Sequence, residues 1–340
     1  MPPLTYPAAP EETMAKIRWG VLSTAKIARE HVIPAMQSSS LGEVVAVASR
    51  REEQAQSFAA KLGIERAHGS YEALLADPNV DAIYNPLPNH LHVPWSVKAM
   101  AAGKHVLVEK PLGMDTADAQ TLLDASKDYP DVKVMEAFMY RFHPQWQQVR
   151  ELCDKVIGPV RNIQCEFSYN NRDATNIRNN ADMGGGALMD IGCYGISLAR
   201  FIYNAEPKRV CGQMNFMDYE VDAITSAIME FDAGTASFSC STKTEPGQWA
   251  KLCGEAGFIY IPLPFNPTAD IEAQIIVQQN GNSETITLAP ANQYRAMADH
   301  FCDAILHNKP VPTPLRDGVS NMQVLDKIIA SANAGQWLEV

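Results

Sequence analysis

Continuous apolar runs alternate with amphipathic segments over residues 17–137, and this alternation restricts the possible folds more than any other feature. Strands without polar alternation are typical of a parallel sheet covered on both faces. Strands that alternate with helices connect by right-handed crossovers, so the pattern predicts an α/β fold with a doubly wound parallel sheet. The predicted strands are 17–22, 44–49, 82–85, 105–109 and 133–137. One predicted helix ends near residue 36, and the other three span 52–62, 94–102 and 116–126.

The pattern changes after Pro144. One predicted helix is followed by consecutive extended segments, which favours a large, mostly antiparallel open sheet. The exposed face of such a sheet predicts a homodimer or homotetramer. We predict a helix over 145–156, strands at 160–168, 209–216, 224–231, 235–241, 257–262 and 272–279 with a hairpin turn at 232–234, and closing helices near 293–307 and 318–334.

Composition excludes several classes of partner. The 340 residues include 28 Lys and Arg against 39 Asp and Glu, a net charge of −11. This charge repels nucleic acids and anionic membranes, and no apolar run approaches the roughly 20 residues of a membrane span. The seven cysteines form no C-x-x-C pair, which predicts free thiols in a reducing cytoplasm. His90 and His92 lack clustered carboxylates or cysteines, so we expect no metal.

The turn after the first predicted strand has the position of a dinucleotide phosphate loop. A G-x-G-x-x-G pattern would place its small residues at Ser23, Ala25 and Ala28. Small side chains still permit close approach of the backbone, and the following helix start attracts a pyrophosphate. An ordinary strand–turn–helix is the alternative. The residues predicted to contact the cofactor here are Ser23, Thr24, Ala25, Lys26 and Ile27.

Ser49, Arg50 and Arg51 stand at the end of the second predicted strand, where enzymes that use NAD commonly place an acidic residue. A hydroxyl and two guanidinium groups suit a 2′-phosphate, which a carboxylate would repel. We therefore predict NADP as the cofactor. The alternative interpretation is a solvated basic turn.

A glycine-led segment, residues 184–194, contains a second candidate site. Helical spacing places Asp190 and Tyr194 on one face, one turn apart. A carboxylate beside a phenol can move a proton to or from a hydroxyl group. A buried pair that merely satisfies its own hydrogen bonds is the alternative.

Four segments together resemble the glucose–fructose oxidoreductase/inositol dehydrogenase (Gfo/Idh/MocA) family. They are the tripeptide Glu109, Lys110 and Pro111, the glycine-led segment 184–194, the stretch 84–92 and the stretch 136–144. With a tyrosine at position 194, the chain resembles the branch of the family that contains glucose–fructose oxidoreductase and sugar dehydrogenases. The resemblance implies hydride transfer between a nicotinamide and a carbon that bears a hydroxyl group, with a cis bond between Lys110 and Pro111. Prolines at 2, 3, 7 and 10 predict an extended arm over residues 1–15. The rest of the chain is divided into a dinucleotide-binding domain (16–143) and an α+β domain for substrate and oligomer contacts (144–340), whose last helices can pack back on the first domain.

The residue chemistry fits this activity. Tyr194 would act as the base, and the Lys110 ammonium would lower its pKa from about 10. Asp190 would hold the substrate hydroxyl or orient Lys110. Arg178 is the expected substrate contact in the amide-rich segment 169–180. The remaining predicted cofactor contacts are Pro88, Asn89, His92, Glu109 and Lys110.

We therefore expect an NADP-dependent oxidoreductase that oxidises the anomeric carbon of an aldose to a lactone. If the arm clasps the cofactor, as the resemblance to glucose–fructose oxidoreductase implies, a second sugar would be reduced to recycle bound NADP(H). The alternatives are a D-xylose or trans-dihydrodiol dehydrogenase with exchangeable cofactor, and an NADP-sensing regulator without catalysis.

Overall fold

The computed structural model describes residues 16–340, and the predicted arm lies outside this range. The first sheet has six parallel strands in the order β3-β2-β1-β4-β5-β6. This is the doubly wound order whose ligand crevice lies between β1 and β4, so the predicted fold is confirmed. The strands are β1 (Ile17–Leu22), β2 (Gly42–Ala48), β3 (Arg66–His68), β4 (Ala82–Asn85), β5 (His105–Val108) and β6 (Val134–Glu136).

Local sequence signals explain where several helices begin and end. The Asp115 side chain accepts a hydrogen bond from the Asp118 N–H at the start of α5, and α2 ends at Gly63 with φ +67°, a left-handed conformation that favours glycine. The helices of this half are α1 (Ile33–Gln37, preceded by a π-helical turn at Ala28–Val32), α2 (Glu52–Leu62), α3 (Tyr71–Leu75), α4 (His92–Ala101) and α5 (Thr116–Ser126).

The second sheet has nine strands in the order β14-β13-β12-β11-β7-β10-β9-β8-β15. Within this sheet, only the β7–β10 pair is parallel among the described strands, which confirms a mostly antiparallel sheet. The strands are β7 (Val160–Asn170), β8 (Arg209–Asn215), β9 (Ile224–Glu230), β10 (Thr235–Ser241), β11 (Lys243–Gly254), β12 (Gly257–Ile261), β13 (Ala273–Gln279), β14 (Asn282–Leu288) and β15 (Leu338–Glu339).

Four further helices come after the first sheet in the chain, and two of them, α8 and α9, pack against the first domain. Helix α7 lies against β7 and β10, α8 packs against α1 and β1, and α9 packs against β8 and α5. The Trp19 and Phe301 rings, 5.7 Å apart, join β1 to α8. These helices are α6 (Pro144–Leu152, followed by a π-helical turn at Cys153–Ile157), α7 (Cys193–Tyr203, preceded by a π-helical turn at Leu188–Gly192), α8 (Gln293–Leu306) and α9 (Leu315–Ala334). None of the described helices combines the length and apolarity that crossing a bilayer requires.

Candidate active site

A cleft of about 1620 Å³ lies between the carboxyl ends of the parallel strands and the helix-covered face of the second sheet. Single-ligand sites commonly occupy about 300–1,000 Å³, so this cleft has room for a dinucleotide and a second molecule. Every residue that the sequence analysis assigned to the site lines it. They are Ser23, Thr24, Ala25, Lys26, Ile27, Ser49, Arg50, Arg51, Pro88, Asn89, His92, Glu109, Lys110, Arg178, Asp190 and Tyr194.

The loop after β1 has the features of a phosphate-binding turn. Ser23 has φ +71°, so it adopts the left-handed conformation for which dinucleotide-binding loops use glycine. Its Oγ is buried and has no hydrogen-bond partner among residues 16–340. A buried hydroxyl without a partner costs free energy. A phosphate oxygen in the cleft would satisfy it, so this loop fits the pyrophosphate of a dinucleotide.

The end of β2 presents two guanidinium groups to the cleft. Gln54 links this segment to the phosphate loop, because its Nε2 donates to Thr24 Oγ1 (2.9 Å) and its Oε1 accepts from Ser49 Oγ (3.2 Å) and Arg51 Nη2 (3.3 Å). Arg50 and Arg51 are exposed. No carboxylate stands between β2 and Glu52, so this end of the cleft fits a phosphate on the adenosine ribose.

The turn that carries Lys110 is held from inside the first domain. The bond between Lys110 and Pro111 is cis, as the resemblance implied. The His92 ring contacts the Pro111 carbonyl through Nδ1 (2.8 Å) and the Leu87 carbonyl through Nε2 (2.7 Å). Burial lowers the pKa of His92 to about 4 although both carbonyls oppose the change. His92 therefore fixes the two loops, while its contact with the cofactor stays a prediction.

Glu109 lies beside this turn and is also engaged by the protein. Its Oε1 accepts a hydrogen bond from Tyr84 Oη (2.7 Å) and its Oε2 accepts one from the Lys110 N–H (3.3 Å). Burial raises the pKa of Glu109, and the Lys110 charge opposes that rise. Glu109 thus shapes the backbone next to the lysine.

Asp190 is the centre of the charged groups in the cleft. Its Oδ1 accepts from Lys110 Nζ (3.2 Å), and its Oδ2 accepts from Tyr169 Oη (2.5 Å) and Arg178 Nε (2.9 Å). Burial would raise the pKa of this carboxyl, but Arg178 and Lys110 reverse the effect and hold it well below its ordinary value. Burial alone would lower the pKa of Lys110, and the Asp190 charge instead raises it above its ordinary value. Asp190 is therefore an anion that keeps Lys110 charged and in place.

Tyr194 lies in an aromatic environment that the sequence did not reveal. Rings of Phe138, Tyr140, Phe167 and Phe265 surround it at 5.2–5.8 Å between centroids. Lys110 Nζ is 5.0 Å above the centre of the ring. Burial raises the pKa of Tyr194 well above its ordinary value. Burial therefore outweighs the lowering of this pKa that was expected from Lys110, whose ammonium is paired with Asp190.

The Tyr194 hydroxyl donates its hydrogen bond to the sulfur of Met139, at 3.4 Å from Sδ. A thioether is a weak acceptor, so an oxygen atom that enters the cleft would replace it readily. Tyr194 is 4% exposed but contributes to the lining of the cleft. The phenol is consequently available as a proton donor.

Tyr169 is a site residue that the sequence analysis did not single out. It lies on β7 two residues after Phe167, and alternation along a strand places both side chains on one face. Its hydroxyl binds Asp190, and burial together with the Asp190 charge raises its pKa. Alternation within β7 could have identified it, but the sequence analysis ended this strand at residue 168.

Two further contacts join the halves of the cleft. Asn89 Nδ2 donates to the Gly184 carbonyl (2.8 Å). Gly184 has φ +76°, and a Cβ there would lie 2.8 Å from Asn89 Cβ and 2.7 Å from Met114 Sδ, so no larger residue fits without movement. Asn89 thus connects the nucleotide end to the glycine-led segment. No group of three or more His, Cys, Asp or Glu side chains in the described range is arranged to hold a metal ion.

Comparisons with known proteins agree with this geometry. Residues 17–138 match the family model "Oxidoreductase family, NAD-binding Rossmann fold", and residues 146–260 match "GFO/IDH/MocA C-terminal domain". The chain is 36% identical over 324 residues to D-xylose 1-dehydrogenase (NADP(+)) 2 of Haloferax volcanii, covering 95% of this chain and 99% of the relative.

Two solved structures share the whole fold. A 3-ketoreductase from Actinomadura kijaniata, in complex with NADP and TDP-benzene, has a TM-score of 0.88 and 31% identity, covering 93% of this chain and 98% of the other. The aldose–aldose oxidoreductase of Caulobacter crescentus has a TM-score of 0.89 and 26% identity, covering 96% and 100%. Both matched models and these similarities extend over the two domains, so the chain belongs to the Gfo/Idh/MocA family of NAD(P)-dependent oxidoreductases.

Proposed function

We propose that this protein uses NADP to oxidise the anomeric carbon of an aldose to a lactone. The observation that carries the proposal is the group of Lys110, Asp190 and Tyr194 in the same cleft as the phosphate loop. The named activities of the D-xylose 1-dehydrogenase and the aldose–aldose oxidoreductase support it. A regulator that only senses NADP has no need for this group of side chains.

NADP is favoured over NAD by Arg50 and Arg51, which face the cleft where the ribose 2′-phosphate would lie. Guanidinium groups bind phosphate oxygens through charge-assisted hydrogen bonds. The buried Ser23 hydroxyl and the start of the helix at Ala28 would hold the pyrophosphate. NADP, when bound, supplies the hydride acceptor.

The protein's part is to hold the reacting hydroxyl and to move its proton. We place the substrate oxygen between Lys110 Nζ and Tyr194 Oη, where it replaces Met139 as the partner of the phenol. The ammonium stabilises negative charge on that oxygen in the transition state. Asp190 fixes the ammonium, and Tyr194 exchanges the proton with the oxygen.

The protonation of Tyr194 decides whether its phenol is ready to donate a proton or to accept one. Burial keeps the phenol protonated at neutral pH, which favours donation of a proton to a carbonyl oxygen. Reduction of a sugar carbonyl is therefore the second candidate activity. The similarity to the 3-ketoreductase agrees with that alternative.

The decisive experiment incubates the protein with NADP⁺ and a panel of aldoses, and identifies products by mass spectrometry. Formation of the matching lactone supports the proposal. Oxidation at a carbon other than C1, or turnover only with NADPH and a keto sugar, would contradict it. A second incubation without added nucleotide tests whether bound NADP(H) is recycled, because paired lactone and alditol then form.

We also propose that the open face of the nine-stranded sheet binds a second copy of the chain. The register places apolar side chains in one row with small and charged ones, which suits a self-complementary two-fold contact. Ile228 is 45% exposed. The row runs across the sheet through Cys211, Ile228, Ser237, Gln164, Lys251, Tyr260 and Ile276.

Light scattering after size exclusion tests the second copy. The double variant Ile228→Glu and Tyr260→Glu places two charges in the row, and we expect it to be monomeric while the unaltered protein is a dimer or tetramer. A monomeric unaltered protein would refute the proposal.

A further inference from the structure

Five side-chain amides lie at the substrate end of the cleft, away from the phosphate loop. All five come from β7, the loop that follows it, β11, or the segment just after Phe265. Three of them, Asn171, Asn176 and Gln248, are half-buried, and the other two are exposed. The five are Asn170, Asn171, Asn176, Gln248 and Asn266.

The protein fixes the orientation of Gln248 most firmly. Its Oε1 accepts hydrogen bonds from the backbone N–H groups of Phe265 (2.9 Å) and Asn266 (3.1 Å). Backbone N–H groups can donate only to the amide oxygen, so these two hydrogen bonds establish which end of the Gln248 amide is the oxygen and which is the NH₂ group. Gln248 Nε2 has no hydrogen-bond partner in the described part of the chain.

Three of the asparagines repeat the same arrangement. Asn176 Oδ1 accepts from the Arg178 N–H (3.0 Å), and Asn171 Oδ1 accepts from the Asp173 N–H (3.1 Å). Asn170 Oδ1 accepts from Arg172 Nε (3.3 Å). In each case the oxygen is occupied and the nitrogen stays free for a ligand, as judged over residues 16–340. The cleft therefore presents several NH₂ donors.

These donors lie next to the reacting groups. Gln248 is directly opposite Phe167 in the β7–β11 pair, and opposite residues project from the same face. The rings of Phe167 and Phe265 both contact Tyr194, at 5.5 and 5.2 Å between centroids. Gln248 is thus one layer of side chains away from Tyr194.

A β-bulge opens space for a ligand at this position. The register of β11 against β7 shifts between Lys243 and Gly247, and bulges commonly redirect a strand next to a site. Ser168 Oγ holds the bulge by donating to the Glu245 carbonyl (2.7 Å). Pro246 and Leu263 add apolar surface to the lining. Amide donors with adjacent apolar surface fit a sugar ring, which has oxygen acceptors at its edge and C–H groups on its faces.

The charged side chains that line this end of the cleft leave no excess positive charge for a phosphate, and Arg172 next to it is exposed to solvent. Lys110 and Arg178 both pair with Asp190, and Asp173 adds a further negative charge to the lining. Lys243, close by, is 3% exposed and donates to the Asn171 carbonyl and to Asn179 Oδ1. Residues 1–15 contain no Lys or Arg, so this segment supplies no positive side chain for a phosphate.

We propose that these amides form an outer subsite for a second sugar ring, so that the preferred substrate is a reducing disaccharide whose terminal ring is oxidised. This inference rests on the proposed sugar oxidation, which it extends from one ring to two. The oxidised ring lies at Lys110 and Tyr194, and the attached ring lies against Gln248 and the asparagines.

The test compares D-glucose with cellobiose and maltose in the presence of NADP⁺. We expect kcat/KM to be at least tenfold higher for one of the disaccharides. Gln248→Glu keeps the oxygen that holds Phe265 and Asn266 but removes the donor. It should raise KM for the disaccharide about threefold to tenfold, the size of one neutral hydrogen bond, and leave D-glucose unchanged. Asn282→Asp on β14 makes the same change of charge away from the cleft and serves as the control.

The outcomes separate this inference from the proposed function. Oxidation of D-glucose with no preference for a disaccharide, and no effect of Gln248→Glu, overturns the outer subsite alone. Calorimetry with cellobiose or maltose on the NADP-loaded protein gives a readout independent of turnover. Binding that Gln248→Glu weakens, without oxidation, supports the subsite and overturns the oxidation; absence of both binding and oxidation overturns both.

Discussion

Replacing Asp190 by Asn tests whether this carboxylate holds the catalytic lysine. The change keeps the shape of the side chain and removes the charge that pairs with Lys110 and Arg178. The Lys110 and Asp190 side chains are only 11% and 12% exposed, so water does not readily replace the lost partner. Arg178 is 41% exposed and can turn to solvent.

The expected losses of stability and of activity follow from these contacts. Breaking a buried ion pair costs about 3–5 kcal/mol. Lys110 Nζ retains its hydrogen bond to the Asp190 main-chain oxygen (2.7 Å), and the new amide retains an acceptor, so we expect a loss of about 2–3 kcal/mol in the free energy of unfolding. A lysine displaced by about 1 Å lowers kcat/KM about 100-fold, or about 2.7 kcal/mol.

The pH dependence of this stability loss has a definite sign. Asp190 has a lowered pKa, so its contribution is present above its ordinary value of 3.8 and is lost as the pH falls through the folded-state value. Lys110 has a raised pKa, so its contribution is present below 10.5 and is lost as the pH rises through the folded-state value. The difference in the free energy of unfolding between the unaltered protein and Asp190→Asn should be constant from about pH 5 to 9 and should shrink outside that range.

Urea unfolding measures the stability, steady-state kinetics measures kcat/KM, and an NADPH fluorescence titration measures the affinity for the cofactor. NADPH affinity should stay within about threefold, because the phosphate contacts do not involve Asp190. Asp182→Asn, at an exposed position eight residues before Asp190, is the matched control. If Asp190→Asn keeps both its stability and more than a third of the activity, the assignment of Asp190 as the anchor of Lys110 is wrong.

Three further predictions concern the other groups of the site. Tyr194→Phe should lower kcat at least 100-fold and leave NADPH affinity unchanged in the fluorescence titration; a protein that only senses NADP would show no loss in any ligand response. Removing both guanidinium groups, as Arg50→Ala with Arg51→Ala, should raise KM for NADP⁺ about 10-fold to 100-fold in initial-rate assays, and an equal rise for NAD⁺ would refute their contact with the 2′-phosphate. Because burial raises the pKa of Tyr194, kcat/KM for oxidation should rise continuously from pH 6 to 10, whereas reduction should be fastest at the acid end; a plateau in oxidation below pH 8 would contradict a protonated phenol.

Much of the first domain was accessible from sequence because its signals are local. Continuous apolar runs identified five of the six parallel strands. The exception, β3 (Arg66–His68), has three half-buried residues and no apolar run. In the second sheet, β11 escaped prediction because Pro246 and Gly247 interrupt it, and β14 because its residues are mostly exposed.

The roles within the site were less accessible, because they depend on neighbours distant in sequence. Helical spacing put Asp190 and Tyr194 one turn apart on a common face. The segment Leu188–Gly192 is instead a π-helical turn, whose i→i+5 bonding widens the helix. Asp190 meets Lys110, Arg178 and Tyr169, while Tyr194 enters an aromatic cluster.

The sequence by itself determined the parallel sheet, the basic segment after β2 and part of the lining of the cleft, since these follow from periodicity, residue type and family motifs. Only the tertiary structure decided which charge pairs with which, that the phenol of Tyr194 is buried against Met139, and that amide donors converge beside it. Such contacts join residues distant in sequence, 80 positions apart for Lys110 and Asp190 and 55 for Met139 and Tyr194. Burial among these segments sets the pKa values on which the chemistry depends.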